Sequence, residues 1–216
     1  NEECGIILED DCLPNYDFFI YCQTLLKKFS NNKEIFMITG DNFQQGKIHG
    51  NYSYYFSKLT HVWGWATWKR AWAHYDVDMS FWPEFKNSSK FKNIFKSFTA
   101  RRYFKSIFNE VYNGKIDTWD YQWTACVWFN NGLSITPNYN LVINIGFGPD
   151  ATHTKSKNNY NPYKTNKILP ITHPKEIKRN YDADLFVFNN SLNGNEMTIL
   201  KILKRKIKSM ILKIIS

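Results

Sequence analysis

The sequence has few of the features that mark secreted, zinc-binding or membrane-spanning proteins. Its four cysteines include no C-x-x-C pair. Their spacing suits neither a zinc site nor a recognisable set of disulfides, so we expect reduced thiols. No apolar run approaches the ~20 residues that a membrane-spanning helix needs, and no signal peptide is recognisable. The sequence therefore predicts an intracellular, cytoplasmic protein.

Acidic residues are outnumbered by basic ones. The 28 Lys and Arg exceed the 19 Asp and Glu, which gives a formal net charge of +9 at pH 7. This charge attracts polyanions, which include nucleic acid, anionic lipid and phosphorylated substrates. Because no recognised RNA- or DNA-binding motif accompanies the charge, we expect no nucleic-acid partner.

Aromatic residues, in contrast, are abundant. Phe, Trp and Tyr make up 18% of the sequence and hydrophobic residues 43%, which excludes a disordered polymer and predicts a sizeable core. A length of 216 residues suits one well-packed domain, or one domain with a tail. Aromatic side chains also provide stacking surfaces for sugars and bases.

The first forty residues predict a strand, a helix and a second strand. Gly5-Ile6-Ile7-Leu8 is typical of a buried parallel strand that ends at a site. Apolar residues from Phe18 to Phe29 follow at helical spacing, and Ile35-Phe36-Met37-Ile38 predicts the next strand. Because such a βαβ unit crosses over in a right-handed sense, a parallel sheet and an α/β fold class are the default.

The later elements are predicted from periodicity and from the positions of glycine and proline. They are a strand over 52–62, a helix over 65–75 with a stripe of Trp65, Trp68 and Trp72, a long helix or helix pair over 88–112, a helix over 117–129 with Asp117 as its N-cap, strand-like pieces over 133–145, a mobile loop over 146–166 and a basic amphipathic helix over 198–216.

Three adjacent acids, Glu9, Asp10 and Asp11, follow the first predicted strand. Like charges a few ångströms apart repel, and a bound divalent cation removes that cost. Because side chains alternate along a strand, Glu9 and Asp11 should face one way and Asp10 the other. Carboxylates completed by phosphates suit Mg²⁺ or Mn²⁺ rather than Zn²⁺. The alternative is a solvated turn with Asp11 near a helix start.

Four sequence blocks occur in an order that is typical of one enzyme family. They are Ile6-Ile7-Leu8-Glu9-Asp10-Asp11 leading into Asp17-Phe18-Phe19, Val62-Trp63-Gly64-Trp65-Ala66 with Trp68 and Trp72, Thr118-Trp119-Asp120-Tyr121-Gln122-Trp123, and Gly146-Phe147-Gly148 with His153. Together they resemble the GT-A glycosyltransferases, especially the N-acetylglucosaminyltransferase that begins hybrid and complex N-glycans and its bacterial relatives in sugar-polymer synthesis. The resemblance covers roughly residues 4–155.

The resemblance implies a GT-A type fold, with a Rossmann-like mixed sheet flanked by helices. Residues 1–170 would then be the C-terminal catalytic part of the domain, 171–197 a connecting segment and 198–216 a basic amphipathic helix. The strands that bind the nucleotide base at the start of such folds have no counterpart in this sequence.

The function that the resemblance implies is sugar transfer from a nucleotide-diphosphate donor to a glycan or lipid-linked acceptor, as in cell-surface polysaccharide synthesis. Asp11 and His153 would hold Mn²⁺ or Mg²⁺, although His153 is equally explained as an exposed loop histidine. The expected donor contacts are Glu9, Asp10, Asp41, Trp65 and Gly148. An ordinary turn is the alternative for Asp41, and a place in the core is the alternative for Trp65.

Asp120 is expected to be the catalytic base. Its alternative role is that of an acid in the first turn of a helix, which the helix dipole favours. The sequence has Asp-Tyr-Gln where the resembled enzyme has two adjacent acids, so Asp117 stays open as the base. One base opposite the leaving group implies inversion at the anomeric carbon.

Two other functions remain open at the level of sequence. A nucleotidyltransferase of similar topology would need a glycine-rich, basic phosphate loop near the first strand. A non-catalytic sugar-binding protein would keep the aromatic surface. In either case the segment 198–216, with Leu and Ile on one side and Lys and Arg on the other, is typical of a helix at an anionic membrane surface, or of a final helix docked on the domain.

Overall fold

A computed structural model describes residues 2–146, 164–192 and 194 of the protein. These residues form a mixed α/β arrangement, so the predicted fold class is confirmed at that level. In chain order the elements are β1 (Cys4–Ile7), β2 (Cys12–Pro14), α1 (Tyr16–Lys28), β3 (Ile35–Thr39), β4 (Tyr54–Ser57), β5 (Trp65–Trp68), α2 (Lys69–Trp72), α3 (Trp82–Phe85), α4 (Ser89–Ile94), α5 (Phe98–Tyr112), α6 (Asp120–Phe129), β6 (Leu133–Pro137), β7 (Val142–Asn144) and α7 (Tyr181–Asn190).

The main sheet has five strands in the order β1-β5-β3-β6-β4. β5 is antiparallel to both β1 and β3, β6 is parallel to β3, and β4 is antiparallel to β6. β1 and β3 therefore run in the same direction, as the βαβ prediction requires, but β5 lies between them. The prediction of a parallel sheet is wrong because a later strand inserts antiparallel into the unit.

β1 differs from the buried strand that its apolar sequence predicts. It occupies an edge of the sheet, and its residues Cys4 to Ile6 are exposed, with Ile6 at 37%. Over the described residues β1 pairs with β5 alone. An apolar run predicts a strand, but it does not show whether the strand lies at the edge or in the centre of the sheet.

Helix α1 begins where the sequence supplies a cap. The Asn15 side chain accepts a hydrogen bond from the backbone N–H of Phe18 at 3.0 Å, which satisfies one of the donors left free at a helix start. Phe18, Cys22 and Leu25 are fully buried on one face of the helix. This face packs on the sheet and places the end of β1 and the start of α1 on one side of the domain.

The sheet is covered on both faces by aromatic side chains. Along β3, Met37 belongs to the core under α5 and α6, and its neighbour Ile38 belongs to the core under α1. All residues of β3 are buried, as expected of a central strand with helices on both sides. The aromatic excess of the sequence is used mainly to fill these two cores.

The helix predicted over 65–75 is wrong over its first half. Residues Trp65 to Trp68 form the fully buried strand β5, and helix α2 covers Lys69–Trp72 only. Trp65 and Trp68 belong to the two different cores, because residues three apart on a strand point to opposite faces. A spacing of three and four between tryptophans does not distinguish a helical stripe from a strand followed by a helix.

The segment 88–112 is a helix pair, α4 and α5, which is one of the two predicted alternatives, since Ser97 caps a new helix by accepting from the N–H of Ala100. Two other element boundaries differ from the predictions. Helix α6 has Trp119 rather than Asp117 at its N-cap, without a side-chain hydrogen bond. The strand over 52–62 is shorter than predicted, at Tyr54–Ser57.

The predicted connecting segment, 171–197, contains helix α7. Val187 and Phe188 of α7 are buried in the core beside α5, at 2% and 0% exposure. The buried Asp184 pairs with Arg179 at 2.6 Å and accepts from Ser57 of β4 at 2.5 Å. This segment is therefore packed against the sheet over its described residues.

The four cysteines are free, as the sequence predicts. Among residues 2–146, 164–192 and 194, no helix combines the length and hydrophobicity that crossing a membrane would require. The predicted basic helix over 198–216 lies outside the described residues, as do Gly148 and His153.

Candidate metal centre and acidic site

The acidic residues lie in a tight turn that follows β1. The backbone N–H of Cys12 donates to the carbonyl oxygen of Glu9 at 3.0 Å, which closes a β-turn with Asp10 and Asp11 at its centre. The possible ligand atoms of Glu9, Asp11 and Cys12 all lie within 4.8 Å of one another. Asp10 is exposed. Glu9 and Asp11 thus come together, although a turn rather than strand alternation brings them there.

Asp11 is held by Cys12 at the start of β2 and by residues at the end of β7. The side-chain amide of Asn144 donates to Oδ1 of Asp11 at 3.2 Å, and Sγ of Cys12 donates to the same oxygen at 3.7 Å. The backbone of Asp11 is fixed as well, because its carbonyl oxygen accepts from the N–H of Ile145 at 2.8 Å. Pairing of β2 with β7 sets this geometry by placing Cys12 opposite Asn144.

Gly146 passes directly against the Asp11 carboxylate. A Cβ atom at position 146 would lie 1.9 Å from Oδ2 of Asp11, far inside van der Waals contact. The N–H of Gly146 donates to Oδ1 of Asn144 at 2.7 Å, so the same asparagine orients both the glycine and the aspartate. The absence of a side chain at position 146 is therefore a condition for the observed position of Asp11.

The donor set fits a hard divalent cation better than a soft one. Glu9 and Asp11 offer carboxylate oxygens, which are the ligands that Mg²⁺ and Mn²⁺ prefer. Cys12 offers a soft sulfur, which Mg²⁺ and Mn²⁺ do not favour, and burial raises the pKa of its thiol to about 12. The thiol acts instead as a hydrogen-bond donor to Asp11.

The glycine that precedes β5 lets Leu8, the residue before Glu9, pack closely against the sheet. Gly64 has a φ of +78°, a left-handed conformation that glycine adopts readily, and a Cβ there would lie 2.8 Å from Val142 and 3.1 Å from Leu8. Its carbonyl oxygen accepts from the N–H of Gly40 at 2.8 Å. Gly64 of the second block thus lies next to Leu8, the residue that precedes Glu9.

Asp41 lies in the interior behind this turn. Only 1% of the residue is exposed, and the hydroxyl of Thr39 donates to its carboxylate. Burial raises its pKa from 3.8 to about 7, and its charge contributes to the raised pKa of Cys12. In this structure the carboxylate contacts Thr39. The predicted contact of Asp41 with a donor molecule stays a prediction.

Asp120 is the first residue of α6. The hydroxyl of Thr118 donates to its carboxylate, which is half-buried. Asp117 is exposed and lines a surface cavity of about 350 Å³ together with Thr118 and Gln122. Asp120 is not among the residues that line this cavity, so geometry leaves both acids as candidates for a base.

The start of β5 connects the acidic turn with Asp120. Trp65 is the strand partner of Ile7, the last residue of β1, and its indole stacks on that of Trp119 with centroids 5.6 Å apart and planes at 25°. Trp119 immediately precedes Asp120. Trp65 itself is only 3% exposed, and its Nε1 has no hydrogen-bond partner in the described part of the chain. Its predicted contact with a donor sugar stays a prediction.

Sequence reasoning missed Cys12 and Asn144 as neighbours of Asp11. Cys12 follows the acidic block directly, but a lone cysteine gives no signal of a hydrogen bond to a carboxylate. Asn144 lies 133 residues further along the chain, and only the pairing of β2 with β7 brings it near. The larger surface cavity, about 800 Å³ between β1, β5 and α1, contains none of the residues of the acidic turn.

The acidic turn and the Gly64 turn therefore lie together at the end of β1, and the contact of Trp65 with Trp119 links them to the first turn of α6. The residues of this candidate site are those of the blocks that resemble glycosyltransferases, together with Cys12 and Asn144. Comparison of the chain with protein-family models and with curated proteins finds no match.

Proposed function

We propose that this chain is the catalytic part of a metal-dependent, inverting GT-A glycosyltransferase. Its reaction moves a sugar from a nucleotide-diphosphate donor to a glycan or lipid-linked acceptor. The observation that carries the proposal is the convergence of Glu9 and Asp11 within 4.8 Å, with Asp11 fixed by the amide of Asn144. The motif series that resembles the GT-A enzymes supports the same function.

The acidic turn is assigned to metal and donor binding. Asp11 binds Mn²⁺ or Mg²⁺, with Glu9 beside it, and Glu9 and Asp10 orient the hydroxyl groups of the sugar and ribose. When bound, the cation neutralises charge that develops on the leaving diphosphate. Asn144 and Cys12 hold Asp11 in one orientation, so little freedom is lost when the donor binds.

Asp120 is assigned to proton transfer. Its carboxylate accepts the proton of the attacking acceptor hydroxyl, and the hydroxyl of Thr118 orients it. The carboxylate lies at the first turn of a helix, where backbone N–H groups favour negative charge. Attack opposite the leaving diphosphate inverts the anomeric configuration.

The proposal is tested by incubating the chain with a panel of nucleotide-diphosphate sugars, methyl glycosides as acceptors, and Mn²⁺ or EDTA. We expect Mn²⁺-dependent product whose anomeric configuration, measured by NMR, is opposite to that of the donor. Asp120→Asn should lower the transfer rate by about 10²- to 10⁴-fold and leave Mn²⁺ affinity unchanged. A retained anomeric configuration, or equal rates in EDTA, contradicts the proposal. Asp182→Asn, an exposed acid on α7, is the control for loss of one negative charge.

A further inference from the structure

The structure contains a partly exposed group of aromatic rings next to Asp120. We propose that Trp72, Tyr75 and Trp119 form a stacking surface for a pyranose ring, and that this surface is the acceptor-sugar subsite. That this surface binds the acceptor rather than another sugar rests on the proposed function, in which Asp120 is the base that deprotonates the acceptor. The binding of a sugar ring, however, can be tested without donor, metal or turnover.

Trp72 and Tyr75 are the centre of this aromatic surface. Their ring centroids lie 4.5 Å apart and their planes differ by 6°, which is a parallel stack. Trp72 also contacts the buried Trp123, with centroids 5.0 Å apart, and Trp65 at 5.8 Å. Contacts with these two buried rings restrain Trp72, so it loses little freedom on binding a ligand.

Exposure distinguishes Trp72 from the tryptophans that serve the core. Trp72 is 38% exposed, whereas the buried tryptophans are at 3% or less. These are Trp65, Trp68, Trp82, Trp123 and Trp128. Leaving a large indole in water costs roughly 25 cal/mol for each Å² of apolar surface. The half-buried Tyr75 and Trp119 contact it at centroid distances of 4.5 and 6.3 Å, so Trp72 belongs to a cluster of partly exposed rings rather than being a single exposed residue.

The surface adjoins the candidate base. Trp72 contacts Trp119 with centroids 6.3 Å apart, and Trp119 is the residue before Asp120. The pKa of the Tyr75 phenol is raised, first by burial and then by nearby groups that include Asp120, which agrees with this placement. The Asp120 carboxylate offers acceptor oxygens to the hydroxyl groups of a ligand bound beside Trp119.

Sugar rings are the ligand class that fits this combination. A pyranose has flat faces of C–H groups that carry partial positive charge, and the face of an aromatic ring carries negative charge. Its hydroxyl groups point outward and need polar partners such as Asp120. Apolar stacking with a few placed polar groups is the usual composition of a small-molecule site.

The test is saturation-transfer NMR with methyl glycosides of glucose, galactose, mannose and N-acetylglucosamine, without metal or donor. We expect at least one glycoside to receive saturation at ring C–H protons, and the acyclic polyol mannitol to receive none. Trp72→Ala should weaken glycoside binding by about tenfold, the effect of one lost stacking contact. Trp72→Phe, which keeps a ring, should recover most of the affinity. Phe98→Ala removes a 57% exposed aromatic side chain elsewhere and should change nothing.

The proposal is overturned if no glycoside binds to the folded chain, or if Trp72→Ala binds as tightly as the wild type. Circular dichroism of each variant verifies that it is folded. If Trp72→Ala does not fold, Tyr75→Ala, which removes the other ring of the stacked pair and should also weaken binding by about tenfold, takes its place. Mn²⁺ binding measured on the same samples separates the two proposals. A chain that binds Mn²⁺ but no glycoside contradicts the sugar surface alone, and one that binds glycoside but no Mn²⁺ contradicts the metal-dependent function alone.

Discussion

At the scale of single residues, the candidate site depends on a glycine as well as on its acidic and amide side chains. Gly146 has no Cβ, and this lets Asn144 and Asp11 meet next to the backbone. The sequence predicts that Glu9 and Asp11 lie on one side from the alternation of side chains along a strand, although a turn brings them together. It cannot predict the hydrogen bond from Asn144, because that contact depends on how two short strands pair.

Gly146→Ala should displace the Asp11 carboxylate. The new methyl group would lie 1.9 Å from Oδ2, so either the carboxylate or the backbone has to move. We expect Mn²⁺ affinity to fall by about 10- to 100-fold, the usual effect of losing a group that orients a ligand. Isothermal titration measures this change. Gly5→Ala is the matched control, since a Cβ at Gly5 meets nothing within 4 Å; equal losses in both variants would contradict the account.

Asp41 should make stability depend on pH. Burial raises its folded-state pKa from 3.8 to about 7, so between these values the folded state holds a proton that the unfolded state has lost. The free energy of unfolding should therefore fall as pH rises through this window, by at most about 1.4 kcal/mol per pH unit, and level off above it. Urea unfolding at both ends of the window measures the effect. Asp41→Asn, which still accepts from Thr39, should lack this component; identical pH slopes would show that Asp41 titrates normally.

At the scale of elements, periodicity predicts buried faces better than it predicts element type. The helix α1 and its cap follow from Asn15 and from the apolar spacing after it. The strand β5 does not, because Trp65, Trp68 and Trp72 satisfy helical spacing while Trp65 and Trp68 face opposite sides of a sheet. β5 is a strand because it pairs with β1 and β3, and the local sequence gives no information about these partners.

Helix α7 should contribute to the stability of the whole domain. Phe188 is fully buried against Phe95 and Tyr103, at centroid distances of 6.3 and 5.6 Å. Phe188→Ala should lower the free energy of unfolding by about 3–5 kcal/mol, through lost burial and the cavity left behind. Phe98→Ala, at an exposed phenylalanine on α5, should change it by less than about 0.5 kcal/mol. An unchanged urea midpoint in Phe188→Ala would contradict a stabilising role for α7.

At the scale of the whole molecule, the basic charge raises the question of where the protein resides. The segment 198–216, known here from its sequence, should bind anionic lipid vesicles in co-sedimentation. Replacing its basic residues by Gln should weaken binding more than about tenfold, at ~1 kcal/mol for each charge near the surface. These residues are Lys201, Lys204, Arg205 and Lys208.

The control for vesicle binding removes the same number of charges from other parts of the surface. It replaces four exposed lysines, Lys33, Lys92, Lys115 and Lys175, by Gln. This variant should retain most of the binding, and binding by the wild type should weaken as salt is raised. Equal losses in the two variants would favour a final helix that docks on the domain, with attraction spread over the whole surface.

The central claim is that the turn after β1 binds a divalent cation, and Mn²⁺ binding followed by electron paramagnetic resonance tests it most directly. The account predicts one saturable Mn²⁺ site per chain in the wild type, in competition with Mg²⁺. It predicts that Asp11→Ala abolishes this site and that Asp182→Asn, which removes the same charge from α7, does not. Saturable binding of equal affinity in wild type and Asp11→Ala would contradict the account, as would the absence of any saturable site in the wild type.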